Sequence, residues 1–151
     1  MTKTPINQIK APLPLAGVRV LDVSQVMAGP YCCMLLADLG ADVIKVEPPG
    51  TGDQTRGAMG FKMKGSDSMG FLNMNRNKRS ITLNLKTDAG KKVFFELVKT
   101  ADILVENYRP GVMKKLALTT LLFKSSILAW YTPASPALVK LGPGQIGQDS
   151  I

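Results

Sequence analysis

The sequence lacks several residues on which common enzyme mechanisms depend. Its 151 residues include no histidine, which excludes Cys–His and Ser–His catalysis and histidine-ligated metal centres from this polypeptide. The only two cysteines, Cys32 and Cys33, are adjacent in an apolar stretch, so we expect small packed side chains and not a disulfide framework. No apolar run approaches the roughly 18 residues of a membrane span, and residues 1–10 do not resemble a secretory signal. We therefore expect a cytoplasmic protein with no membrane partner and no bound metal.

The formal net charge is +8, which favours polyanionic partners such as nucleic acid, an anionic membrane or a nucleotide cofactor. Charge alone does not choose among these. Nucleic acid is the weaker hypothesis, because the sequence shows neither an aromatic platform nor a recognition helix with base-contacting side chains.

From residue 15 onward, alternating and helical patterns of apolar residues predict a series of strands and helices. Residues 1–14 form a flexible lead-in with three prolines. Four segments alternate in the manner of strands, namely 18–24, 42–47, 79–85 and 102–106. Helices are predicted over 31–39 and 88–100 and from residue 110, and a long connection occupies 50–77. Strands that alternate with short helices predict an α/β fold, a Rossmann-like parallel sheet with flanking helices.

The helix over 88–100 has the clearest boundary signals. Thr87 is a suitable N-cap, and Asp88 places a negative charge in the first turn. Val93, Phe94, Leu97 and Val98 are predicted to share its apolar face.

Ligands of parallel sheets collect at the carboxyl ends of the strands. Four segments are therefore the candidate binding region, namely 23–29, 47–56, 83–87 and 106–111. Basic residues recur there and in the approach to the third strand, 75–80, which suits a ligand with several phosphates. A solvated charged surface is the alternative.

A series of motifs carries a family resemblance. They are AGVRVLD at 16–22, AGP at 28–30, LGADVIKVEPPG at 39–50, GDQTRG at 52–57, NRNKRS at 75–80, LKT at 85–87 and VENYRPG at 105–111. In order and spacing they resemble the class III CoA-transferases of the CaiB/BaiF type. The resemblance implies that residues 15–116 are the N-terminal, coenzyme A-binding part of the family's large domain.

The resemblance also implies a chemistry and a set of contacts. Family transferases move CoA between an acyl-CoA and a carboxylic acid through an aspartyl anhydride, with CoA as substrate and no permanently bound cofactor. Full-length members form interlocked homodimers, which a fragment is not expected to form. The implied CoA contacts are Met27, Ala28, Leu83, Asn84, Leu85, Lys86, Asn107, Tyr108, Arg109 and Lys115. Some members have glutamine at the position of Met27 and arginine at that of Pro48.

The catalytic aspartate of the family is expected beyond this chain, so no catalytic residue is assigned. The aspartates considered and set aside are Asp38, Asp42, Asp53, Asp67, Asp88 and Asp102. The chain is accordingly predicted to be inactive alone. The alternatives are a fragment of a 2-methylacyl-CoA racemase, which would need a downstream histidine and aspartate pair, and a non-catalytic CoA-binding remnant.

The family pattern stops after Leu116. Codons built from the third base of one residue and the first two bases of the next permit the family's continuation in 116–151; Trp130 followed by Tyr131, for example, forces valine. We therefore expect a frameshift near Lys115 and a poorly ordered tail over 117–151. The match of 142–147 to G-x-G-x-x-G is interpreted as accidental, because the fingerprint needs a helix and an acidic residue about twenty positions further on, and only four residues follow it here.

Overall fold

The computed structural model describes residues 12–63, 65 and 67–118. A four-stranded parallel sheet forms its centre, with strands β1 (Arg19–Asp22), β2 (Asp42–Glu47), β3 (Arg79–Thr82) and β4 (Ile103–Val105). The strand order is β3-β2-β1-β4, and every neighbouring pair is parallel. The predicted α/β class and parallel sheet are confirmed.

Five helices connect or follow the strands within the described residues, namely α1 (Ala28–Asp38), α2 (Thr55–Ala58), α3 (Met69–Met74), α4 (Asp88–Lys99) and α5 (Val112–Lys115). The short helices α2 and α3 lie in the connection that the sequence left without elements. α3 begins where Ser68 Oγ accepts a hydrogen bond of 3.1 Å from Phe71 N. Helices this short offer little periodicity, so their pattern in sequence is weak.

Two apolar layers cover the sheet because successive strand residues point to opposite faces. On one face Val20, Val43 and Val105 pack against Cys33 and Ala37 of α1. On the other face the layer contains Leu21, Ile44, Val46, Leu104, Phe94 and Val98. Asp22, Lys45 and Glu47 alternate along β1 and β2 with the residues that face α4. These polar residues therefore point to the α1 side of the sheet.

α4 follows the predicted boundaries but corrects its predicted face. Thr87 Oγ1 accepts a hydrogen bond from Gly90 N, as expected of the N-cap. Phe94 and Val98 are buried and Leu97 is partly buried, whereas Val93 is 44% exposed. The prediction that Val93 belongs to the buried face was wrong, because the surface of α4 that contacts the sheet is narrower than the apolar stripe in the sequence.

The packed part of the chain extends past Leu116, where the sequence predicted the domain to end. Leu118 is completely buried in the α4-side layer, so packed chain continues two residues further. The rest of the predicted tail, 119–151, lies outside the described residues, as does most of the lead-in.

Candidate functional site

A cleft of about 230 Å³ opens at the carboxyl ends of the strands, where the sequence places the binding region. Val46 and Leu83 contribute apolar surface, and Lys86 and Asn84 are exposed among the lining residues. The lining residues are Gln25, Val46, Glu47, Pro48, Leu83, Asn84, Leu85, Lys86, Tyr108, Val112 and Leu116. An apolar floor with a cation at its border suits a ligand that joins a flat or aliphatic group to an anion.

Half of the ten predicted contact residues line this cleft, namely Leu83, Asn84, Leu85, Lys86 and Tyr108. Met27 and Ala28 are exposed at the start of α1 and are outside the lining. Asn107 is partly buried and also outside the lining, and Arg109 and Lys115 are exposed on the segments that follow β4.

Six lining residues were absent from the sequence-based set, namely Gln25, Val46, Glu47, Pro48, Val112 and Leu116. Gln25, Glu47 and Pro48 stand within the strand-end segments already singled out, so position at the sheet edge was the available signal. Val112 and Leu116 belong to the α5 region, whose approach to the cleft is a tertiary contact.

Asn107 holds the backbone of Gln25 from both sides. Its Oδ1 accepts a hydrogen bond of 2.9 Å from Gln25 N, and its Nδ2 donates one of 2.7 Å to Gln25 O. This paired contact joins the segment after β1 to the segment after β4, which are 82 residues apart in sequence. Asn107 therefore acts in this structure through the loop that carries Gln25.

A buried group of charges lies under the same loop. Lys45 Nζ is 2.9 Å from Asp53 Oδ2 and 3.8 Å from Asp22 Oδ2, and Lys78 Nζ is 3.0 Å from Asp22 Oδ2. The four side chains are at most 2% exposed. Burial raises the pKa of Asp53, but hydrogen bonds from Thr55 and Lys45 outweigh it and leave that pKa below its usual value. Two carboxylates thus face two ammonium groups, so the group as a whole is neutral.

Glu47 is the last residue of β2, and its carboxylate is held by several hydrogen bonds. Burial raises its pKa, but hydrogen bonds from Arg56, Ser80 and the Asp53 backbone outweigh this and hold the pKa at about 2. Arg56 also binds Asp67, with Nη1 2.9 Å from Oδ2, and lies 3.8 Å above the Phe71 ring. Both groups are thereby engaged within the protein.

The basic segment 75–80 does not supply cations to the cleft. Arg76 pairs with Asp38 at 2.5 Å, Arg79 with Asp42 at 2.6 Å, and Lys78 with Asp22. The structure gives each of these three cations a carboxylate partner, and the expectation that they serve phosphates stays a prediction.

Burial also affects two groups beside the cleft. It raises the pKa of Tyr108 to about 12, with the Glu106 carboxylate as the next cause in the same direction. It raises the pKa of Glu106 too, against the opposing effect of a hydrogen bond from Tyr108 N. Tyr108 is therefore a neutral phenol at ordinary pH.

Within the described residues, no three histidine, cysteine, aspartate or glutamate side chains are grouped so that they could hold a metal ion. None of the helices in that part of the chain is both long and apolar enough to cross a membrane. Cys33 is buried and Cys32 partly so, and burial raises the pKa of both thiols.

Comparison with known proteins identifies the fold. A family model described as CoA-transferase family III matches residues 15–124, most of the chain. The chain belongs to this family. The resemblance found in the sequence motifs is therefore confirmed, and the match continues eight residues past Leu116.

Two curated members of CoA-transferase family III illustrate the similarity. A formyl-CoA:oxalate CoA-transferase of Rhodopseudomonas palustris (strain BisA53) is 54% identical over 102 residues, covering 68% of this chain and 24% of the relative. The succinyl-CoA:glutarate CoA-transferase of Homo sapiens is 48% identical over 113 residues, covering 75% and 25%. The chain thus spans about a quarter of the length of the curated relatives that it matches.

Solved structures of CoA-transferase family III have the same fold as this chain. A CaiB/BaiF family protein from Brucella suis superimposes with a TM-score of 0.69 at 37% identity, covering 77% of this chain and 32% of that one. A hypothetical protein from Mycobacterium tuberculosis gives a TM-score of 0.65 at 42% identity, covering 74% and 30%. The parallel sheet with its flanking helices is therefore the family's fold.

Proposed function

We propose that the cleft binds the coenzyme A portion of an acyl-CoA, and that the chain contributes this binding to transfer of CoA between an acyl-CoA and a carboxylic acid. The observation that carries the proposal is the convergence of Leu83–Lys86 and Tyr108 on one cleft at the carboxyl edge of the sheet. The apolar side chains suit the adenine or pantetheine part of CoA, and Lys86 suits a phosphate. The two curated relatives named above are both transferases, which favours transfer over racemisation.

Calorimetric titration of the purified chain with CoA tests the proposal, with Lys86→Gln as the informative variant. We expect loss of one charge-assisted contact to raise the Kd about tenfold or more, with a weaker dependence on salt. Lys92→Gln is the matched control, since Lys92 is an exposed lysine of α4 that lines a separate concavity. Equal effects of the two substitutions, or no binding of CoA by the wild-type chain, would contradict the proposal.

We further propose that the described residues supply no nucleophile for the transfer. Glu47 in the cleft already accepts hydrogen bonds from Arg56, Ser80 and the Asp53 backbone, and its low pKa makes it a weak nucleophile. Most aspartates are engaged as well: Asp38 and Asp42 with arginines, Asp67 with Arg56, and Asp102 with the Arg19 backbone. Asp88 is exposed but lies outside the lining of the cleft, and Glu106 accepts a hydrogen bond from Tyr108 N.

A labelled-substrate assay tests this absence. We expect no transfer of label from formyl-CoA to oxalate or from succinyl-CoA to glutarate by the purified chain. Transfer above the no-protein control would show that a nucleophile is present after all. The cytoplasmic location remains a prediction, and so does the expectation that the fragment does not form the homodimer of full-length members.

The sequence after Leu116 is proposed to be read in a shifted frame. The codon relation described above supports this, although Leu118 still packs into the core. Sequencing the gene over codons 110 to 120 and past the stop provides the test. A one-base change that restores the family motifs is expected, and a gene in which neither alternative frame encodes them would exclude the shift.

A further inference from the structure

The loop that follows β1 is held through its backbone by side chains from three other places in the fold. Ser24 N donates to Asp22 Oδ1 at 2.9 Å, and Ser24 O accepts from Lys45 Nζ at 2.9 Å. Both backbone groups of Gln25 bind Asn107, and Val26 N points to Asp53 Oδ1 at 3.4 Å. Five consecutive polar groups of the backbone are therefore fixed by side chains that the rest of the fold positions.

Val26 within this loop has an unfavourable backbone conformation. Its φ is +71°, in the left-handed region, where a β-branched side chain is a genuine outlier. Its side chain gains little packing in return, because Val26 is 43% exposed. Such a conformation persists only where surrounding contacts determine it, and such sites cluster at ligand-binding positions.

Lys45 is linked to three of these five contacts, directly at Ser24 O and through its carboxylate partners Asp53 and Asp22 at Val26 N and Ser24 N. It is 1% exposed, in the interior of β2, where an apolar residue would be the ordinary choice. Its ammonium group joins Ser24 O to Asp53, and Asp53 in turn approaches Val26 N. A buried ion pair is weak evidence of stability in itself, so its presence here calls for another role.

We infer that Lys45 is a positioning residue, which together with Asp53 holds the loop after β1 in its left-handed turn and thereby presents Gln25 to the cleft. The inference rests on the proposed function only for the identity of the ligand. Gln25 is the one residue of this loop that lines the cleft, and both its neighbours are held by the Lys45–Asp53 pair.

A cycle of stability measurements tests the positioning without any ligand. Val26→Gly removes the cost of the left-handed backbone, and we expect it to lower the unfolding equilibrium constant about threefold to tenfold. The same change in a Lys45→Met/Asp53→Asn background is expected to have an effect within about twofold of none, because Ser24 O and Val26 N, the backbone groups on either side of Gln25, are no longer held there. This double substitution removes one charge of each sign and leaves the Asp22–Lys78 pair in place.

Affinity for CoA is the second measurement. We expect Lys45→Met/Asp53→Asn to raise the Kd about tenfold, under conditions in which circular dichroism shows the protein folded. Val43→Ala is the control, since it opens a cavity in the α1-side layer, none of whose buried residues lines the cleft. It should lower stability while leaving both the Kd and the gain from Val26→Gly unchanged to within about twofold.

The outcomes separate the two proposals. If the wild-type chain does not bind CoA, the proposed function fails, whereas the stability cycle still decides the inference about Lys45. If Val26→Gly gives the same gain in both backgrounds, Lys45 does not hold the loop and the inference is overturned. Should Lys45→Met/Asp53→Asn fail to fold, Asp53→Asn alone replaces it in the cycle, because it removes the charge that faces Lys45. Additivity there would overturn the inference equally.

Discussion

The Arg56 guanidinium donates one hydrogen bond to each oxygen of the Glu47 carboxylate, through Nε to Oε2 and through Nη2 to Oε1, both at 2.7 Å. Glu47 is the last residue of β2 and Arg56 belongs to α2, so the pair fastens the connection after β2 to the sheet. Ser80 Oγ donates a further hydrogen bond to Glu47 at 2.6 Å from the adjacent strand. This two-point contact fixes one wall of the cleft.

Replacement of Glu47 by Gln should destabilise the protein by about 2 kcal/mol, since it removes the charge that Arg56 and Ser80 face. Urea unfolding followed by circular dichroism measures the change. Glu96→Gln is the matched control, because Glu96 also accepts a 2.7 Å contact, from Lys99, but both side chains are more than half exposed. Its effect should not exceed about 0.5 kcal/mol. Equal losses would mean that burial does not strengthen the Glu47 contact.

Acid should weaken the fold through the same carboxylate. The pKa of Glu47 is about 2 in the folded chain against an ordinary value of 4.5. Its contribution is therefore complete above pH 4.5 and is lost as the pH falls towards 2. We expect the difference in stability between wild type and Glu47→Gln to shrink across that interval in urea titrations at successive pH values. A constant difference would show that Glu47 does not titrate in this range.

Phe94→Ala should remove about 3–5 kcal/mol, because Phe94 is completely buried in the α4-side layer and its loss leaves a cavity. Val93→Ala beside it on α4 should cost less than about 1 kcal/mol, since Val93 is 44% exposed. Thermal or urea unfolding compares the two. A large loss at Val93 would indicate that the apolar face of α4 extends as the sequence pattern predicted.

Gly90→Ala should disturb the cleft directly. A Cβ at Gly90 would collide with the backbone carbonyl group of Asn84, a lining residue, and a backbone group has little room to relax. We expect a loss of about 2 kcal/mol and altered amide signals at Asn84 in NMR spectra. Gly57→Ala is the control: a Cβ there meets nothing within 4 Å, and alanine favours the helical backbone of α2. An unchanged stability in Gly90→Ala would contradict the tight approach.

The sequence predicted the larger elements well and the short ones poorly. Strands β1 to β4 and helices α1 and α4 lie within a few residues of their predicted positions, because alternation and Thr87 capping are local signals. Helices α2 and α3 were missed, since their four and six residues are too few to establish a helical period. Val93 was misplaced because the width of a packed face depends on the neighbouring sheet.

The sequence by itself determined the class of fold, the family and the edge of the sheet where the cleft lies, since these follow from periodicity, motif order and the geometry of parallel strands. Only the tertiary structure decided what each charged residue does. Lys78 pairs with Asp22 across 56 positions, and Arg79 pairs with Asp42 across 37, and neither lines the cleft. Lys86, by contrast, stands exposed in the cleft. Coulomb interactions depend on distances through space, and in a folded chain the nearest carboxylate is set by packing, not by position in the sequence.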